Sequence, residues 1–427
     1  MNMMTKSSDP DAGLPAPART SGEGSRTLRA GFIPLVDASV LIAAAEFGFA
    51  EREGLTLDLV KDVSWANVRD RLAFRQFDIA HMLSPMPVAS MLGLGSNPSP
   101  TITPFSLGRG GNAITLSTRL FDRMRNATGL SEAASALENA KTLSKVLVEM
   151  KASGEPMPTF GVTYPFSSHN YEFRYWLAAG GIDPDRDVKL VVVPPPLTSD
   201  ALAAGAIDGF CVGAPWNMVA SERGVGRIVA AKQDIWPSAP EKVIGMRPEW
   251  ADSHPETVSR LIVALDAAAR WCDRPENHDA LAEALADARY IAAPIHIIRH
   301  VLAGEFSLDA KGNRRIIDNY FMFHSGFANY PRTSQALWIY SQMIRWGQAE
   351  LGLNPARAAA SAYRPDLYRT ALGEGSAPSD ADVRIEGADE NDRFMDGHVF
   401  EPSKLPDYIA GFAVKSALPF IPHPDET

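Results

Sequence analysis

The chain has 427 residues, too many for one ordinary hydrophobic core, so two lobes are expected. With 45% hydrophobic and 22% charged residues it falls in the ordinary globular range, and a net charge of −10 without any block of Lys and Arg excludes a general nucleic-acid binder. Its two cysteines, Cys211 and Cys272, form neither a metal-type spacing nor a redox pair, though the sequence leaves a disulfide between them open.

Residues 1–28 are rich in Ser, Pro, Gly and Ala and hold no apolar run of signal-peptide length. No stretch of the chain approaches the roughly 20 apolar residues of a membrane span. The expectation is a disordered tail over 1–28 and a cytoplasmic protein that engages no membrane. From Leu28 the pattern is regular. "LRAGFIPLVDA", "LTLDLVKDV" and "FDIAHML" read as strands, separated by the helical stretches "SVLIAAAEFGFAEREG" and "SWANVRDRLAFRQ". This order predicts a parallel α/β sheet with crossover helices.

A second α/β unit follows. Strands "NAITLST", "PTFGVTYP", "DVKLVVVPPP" and "IDGFCVG" are interleaved with helices near 131–150, 171–179 and "LTSDALAAGA". Beyond Lys242 the chain turns largely helical, over 255–292 and 334–352, while 373–392 is acidic and reads as an exposed loop. The predicted organisation is a first lobe of 29–117 plus 236–330, a second lobe of 118–235, and a helical extension, 331–427, packed on the first lobe. The hinge is expected at Leu116–Thr118 and Asp234–Trp236, with a ligand cleft between the lobes.

Enzyme motifs are missing: there is no G-x-S-x-G elbow, P-loop or H-E-x-x-H. "GRGGNA", Gly108–Ala113, matches a dinucleotide fingerprint in letters only, since it precedes a strand instead of joining strand to helix. His296 and His300 have the four-residue spacing of a helical metal pair, without an evident third ligand. Five residues stand just past predicted strand ends or in loops of the two units, where open α/β sheets bind ligands. They are Trp65, Asn112, His169, Gly213 and Lys242. Four have an ordinary reading alone: Trp65 as a core indole, His169 as a helix-start histidine behind a Ser167 or Ser168 cap, Gly213 as a turn glycine and Lys242 as a surface lysine.

Together, "GFIPLVDASVLIAAAEFG", "SWANVRDRL", "DIAHMLSPMP", "SSHNYEFRYWLAAGGIDP", "IDGFCVGAPWN", "PEKVIGM" and "LWIYSQMIRWG" resemble the substrate-binding proteins of nitrate/bicarbonate ABC transporters, which have the type II periplasmic-binding-protein fold. The resemblance spans about 28–402. It implies that nitrate or nitrite is held by Trp65, Asn112, His169, Gly213 and Lys242, with no cofactor. Asn112 departs from the family's glutamine, which is one methylene longer. The chemistry of such a set suits nitrate, a planar monoanion that only accepts hydrogen bonds. A bicarbonate ligand would add an O–H in need of an acceptor. Calcium, implied by the resemblance for bicarbonate-binding relatives, is disfavoured by Lys242, although Glu241 is adjacent. Read as cytoplasmic, the chain resembles NasS-type nitrate/nitrite sensors, which hold an ANTAR-domain RNA-binding antiterminator inactive until the anion arrives. The alternatives are a transporter subunit and, on the same fold, a thiamine-pyrimidine-synthase-like enzyme, whose cysteine-rich motif is not found here.

Overall fold

The computed structural model describes residues 25–416 except 98 and 382–383, so the expected tail lies outside the described residues up to 24. The first strand, β1 (Arg26–Phe32), opens inside the segment expected to be tail. It is followed by β2 (Leu55–Lys61), β3 (Ile79–Leu83), β4 (Ile102–Ser106), β5 (Arg109–Gly110) and β6 (Asn112–Ser117). Next come β7 (Thr159–Val162), β8 (Lys189–Val192), β9 (Gly209–Gly213), β10 (Gly226–Ala231) and β11 (Lys242–Met246). A hairpin of β12 (Glu305–Ser307) and β13 (Arg314–Ile316), then β14 (Phe321–Met322), complete the strands among the described residues.

Two five-stranded sheets result, in the orders β2-β1-β3-β11-β4 and β10-β6-β9-β7-β8. The two-lobed α/β architecture is as expected, but the sheets are mixed rather than parallel. β1 runs parallel to β2 and β3, and β7 to β8 and β9, whereas β11 and β6 are antiparallel to their neighbours. The physical reason is that β6 and β11 are entered from the crossings between the lobes, not through an in-sheet helical crossover.

Those crossings correct the expected boundaries. Asn112–Ser117 belongs to the second sheet, so the chain leaves the first lobe at 107–111 and returns at 236–241. The two segments lie side by side: Leu107 N–H donates to Lys242 O at 2.8 Å, and Arg109 bridges Pro240 in antiparallel fashion. Leu116–Thr118 is therefore inside the second lobe, where Ser117 N–H donates to Asp208 O, while Asp234–Trp236 sits where the return crossing begins. The glycines of "GRGG" also find their use here. β14 lies across the crossing and pairs with β5, and a Cβ on Gly108 or Gly111 would meet Met322 O at 2.7 Å or the Phe321 ring at 2.5 Å.

The helical extension touches both lobes instead of the first alone. Helix Pro365–Leu372 packs on helix Pro255–Cys272 of the first lobe. Trp338 and Phe394 stack around Trp236 and around Tyr175 of helix Ser168–Ala179 in the second lobe, with Trp236–Phe394 centroids 4.5 Å apart. Tyr171 and Tyr175 donate hydrogen bonds to Gln348 and Asp396. The acidic stretch 373–392 is not a free loop: Glu386 and Asp392 are buried, and Arg384 donates to Asp380, Glu386 and Asp392. Polar composition suggested solvent, but these charges satisfy one another. Cys211 and Cys272 are free thiols, buried in separate cores.

Candidate functional site

All five sequence-predicted residues converge between the lobes: Gly213 at the carboxyl end of β9, Asn112 and Lys242 at the amino ends of the antiparallel strands β6 and β11, and Trp65 and His169 at two helix starts. Trp65 opens helix Trp65–Ala73 and is 2% exposed; its Nε1 finds no hydrogen-bond partner among the described residues. Its ring lies 5.7 Å from Lys242 Nζ and 5.3 Å from the His81 ring. Lys242, the first residue of β11, places Nζ 2.7 Å from Asp37 Oδ2 and against Glu241 Oε1. His169 lies in the first turn of helix Ser168–Ala179, whose N-cap Ser167 accepts from Asn170 N–H, so the ordinary capping role goes to the serine. The imidazole is fully buried, with Nδ1 3.0 Å from Thr163 Oγ1 and Nε2 3.7 Å from Glu241 Oε1.

Gly213 pairs in register with Asn112. A Cβ there would stand 2.9 Å from Asp37 Oδ2, so this glycine provides space between the lobes and not a turn. Asn112 is the least expected in its role. Its amide Nδ2 donates to Glu172 Oε2 at 3.0 Å and Glu241 Oε2 at 2.5 Å, so its donors are already engaged with carboxylates.

Five residues beyond the predicted set complete the cluster: Asp37, His81, Glu172, Lys232 and Glu241, each less than a tenth exposed. Lys232 Nζ donates to Glu241 Oε2 at 2.9 Å and lies 3.3 Å from Glu172 Oε1. Asp37 Oδ1 is 3.0 Å from His81 Nε2. They share no sequence pattern, although Glu172 lies on the helix face of His169 at i+3 and Glu241 directly precedes Lys242.

Electrostatics set the charge states. Burial pushes Glu241 and Asp37 up, but Lys232 and Lys242 outweigh it for Glu241, and Lys242 and His81 outweigh it for Asp37, so both carboxyls stay below their usual range. Lys242 is desolvated, yet Asp37 and Glu241 raise it above its usual value. Burial and the Lys242 charge bring His169 down to about 3, leaving a neutral imidazole. The Glu241 carboxylate, planar and singly charged, thus sits where Lys232, Lys242, Asn112 and His169 converge. The cluster can stabilise a small planar anion by charge-assisted hydrogen bonds.

Other candidates do not assemble. Among the described residues no group of three His, Cys, Asp or Glu side chains is placed to hold a metal ion. His296 instead pairs with Glu222 at 3.1 Å. An open cavity of about 750 Å3 lies elsewhere, lined in part by Phe121, Asn139, Arg227 and Arg315, whose charges pair with Asp309, Glu132 and Asp234.

The lobes meet across this cluster. Val36 N–H donates to Ala214 O at 3.0 Å, and Arg69 Nη1 donates to Tyr164 OH at 2.6 Å. Tyr164→Phe should loosen this closed form: losing one partly buried hydrogen bond costs about 0.5–1.5 kcal/mol, roughly two- to tenfold in anion affinity. An unchanged affinity, together with an unchanged radius of gyration in scattering, would show that the Arg69–Tyr164 contact does not help hold the lobes together.

Two α/β lobes joined by paired crossings, with charged groups buried between them, define a two-lobed solute-binding protein of the periplasmic-binding-protein fold. Residues 21–286 match the NMT1-like family. The nitrate/nitrite binding protein NrtA of Synechococcus elongatus is 32% identical, with 94% of this chain and 90% of that protein aligned. The nitrate import ATP-binding protein NrtC of Synechocystis is 35% identical over 90% of this chain, which spans only 55% of that relative's length. The crystal structure of periplasmic nitrate-binding NrtA from Synechocystis superposes with a TM-score of 0.82 at 27% identity, covering 92% of this chain and 99% of that one. The chain belongs to the NMT1-like family and, within it, to the NrtA/CmpA-like nitrate/bicarbonate-binding proteins.

Proposed function

We propose that the chain binds nitrate or nitrite between its lobes and works as a cytoplasmic sensor of the NasS type, holding an ANTAR-domain antiterminator until the anion arrives. The observation that carries the ligand is the convergence of two buried ammonium groups, an amide and an imidazole on one planar carboxylate. The names of the nitrate/nitrite-binding relatives support the same ligand. The sensor role rests on the motif resemblance alone. In this reading the chain is a binding protein rather than an enzyme, and RNA is contacted by the partner, not by this acidic chain. A second reading, the substrate-binding subunit of a nitrate or bicarbonate transporter, is favoured by the transport names of the relatives.

Calorimetry of the purified protein against nitrate, nitrite and bicarbonate tests the ligand. Co-purification with an ANTAR-domain protein, retained without nitrate and released with it, tests the sensor. Anion binding without any such complex would leave the transporter reading.

A further inference from the structure

We infer that nitrate or nitrite binds with Glu172 protonated, so that each anion draws in one proton wherever Glu172 is ionised beforehand. The inference rests on the proposed anion site and specifies how that site balances its charge. Three carboxylates, Asp37, Glu172 and Glu241, face two ammonium groups, Lys232 and Lys242, all nine-tenths or more buried. With every one of these ionised and the imidazoles neutral, the cluster is already one negative charge in excess. An entering monoanion would double that excess in a medium where unpaired charge is costly.

The geometry selects which carboxylate yields. Asn112 Nδ2 and Lys232 Nζ each reach both Glu172 and Glu241, so the two acids share one amide and one ammonium group. Glu241 has a second ammonium, Lys242, and Asp37 has Lys242 and His81. Glu172 has Lys232 alone at 3.3 Å, and its Oε1 accepts no hydrogen bond among the described residues. Two carboxylates that share donors do not both ionise readily, and the less well paired one takes the proton.

The remaining groups around Glu172 offer no competing charge. His169, one turn back on the same helix, is neutral, and burial raises the Cys211 thiol and the Tyr320 phenol well above their usual range. Burial pushes Glu172 itself up to about 7, against the pull of Lys232. Once protonated, its carboxyl offers an O–H donor, which suits an anion that only accepts hydrogen bonds.

The test is titration calorimetry of the full chain with sodium nitrate and sodium nitrite from pH 6 to pH 8.5, in buffers of small and large ionisation enthalpy. Wild type should bind with constant affinity below about pH 7 and lose roughly tenfold per pH unit above it, taking up one proton per anion at the alkaline end. Glu172→Gln, which mimics the protonated acid, should abolish both the slope and the proton uptake. Wild-type binding with the same affinity at pH 6 and pH 8.5 and no proton uptake overturns the inference while leaving the anion site in place. So does a slope that persists in Glu172→Gln, which would assign the proton to another group. Should neither anion bind at any pH, the proposed function itself falls, and this inference with it. Because the proton count is read on wild type, the test stands even if the variant folds poorly.

Discussion

Lys242→Ala should cost the protein its anion binding and also a large part of its stability. A charge-assisted hydrogen bond contributes roughly 1.5–3 kcal/mol, so affinity should drop by about one to two decades. From sequence the substitution is expected to leave the fold intact, as a surface-facing ligand lysine would. The structure changes that expectation: Lys242 is 1% exposed and is paired with Asp37 and Glu241. Removing it leaves Asp37 without an ammonium partner and Glu241 with Lys232 only, a loss of about 3–5 kcal/mol for a broken buried pair. The sign of the pH dependence follows. Asp37 and Glu241 are held below their unfolded-state values, so their contribution is fully present above roughly pH 5 and is lost as the pH falls through their folded values. Urea unfolding near pH 7 should show the lower midpoint, with a smaller acid-dependent loss in the variant than in wild type. Adding Asp37→Asn should recover part of the stability without recovering binding. A wild-type midpoint for Lys242→Ala would mean that the buried pairs contribute nothing net, and wild-type affinity would remove Lys242 from the site.

Much of the strand and helix order of the two α/β units was legible, though not β4, β10 or β11, and so were five positions that the structure brings near one another, because both depend on local signals. Alternation marked β2 in "LTLDLVKDV", positions just past strand ends marked Trp65 and His169, and a loop position marked Lys242. What it did not carry was relative placement. Nothing local in "NAITLST" says whether the strand pairs with β3 or with β9, and its assignment to the first lobe misplaced the hinge. Nothing local singles out Asp37, Lys232 or Glu241 as buried, because burial of a charge depends on partners distant in sequence, such as Lys232 with Glu172 or Asp37 with Lys242. Asn112 shows the same limit from the other side. Its residue type suggested a shortened donor for the anion, whereas its amide bridges two acids that no spacing rule would have put together.

Gly110→Ala should be the most damaging single methyl that can be added at the crossing between the lobes. The Cβ would stand 1.8 Å from Tyr320 O and 2.8 Å from Gln233 Nε2, on a backbone with φ +90°. The carbonyl cannot withdraw freely, because Phe321 pairs with Gly110 in the short β5–β14 ladder and Gln233 Nε2 donates to Tyr320 O at 2.7 Å. Left-handed strain costs about 1–3 kcal/mol, and forcing a methyl into filled space about 1–3 kcal/mol more. Gly110 is two residues from Asn112, so relief of the clash would move the amide that joins Glu172 to Glu241, and anion affinity should fall along with stability. Gly129→Ala is the control: it ends helix Thr118–Thr128 at φ +68° with nothing within 4 Å of the added Cβ, and so carries the backbone strain without the collision. Unfolding midpoints and nitrate calorimetry on both variants separate the two contributions. If Gly110→Ala loses no more stability than Gly129→Ala and binds nitrate as wild type does, then β14 does not press on the crossing, and the crossing does not set the position of Asn112.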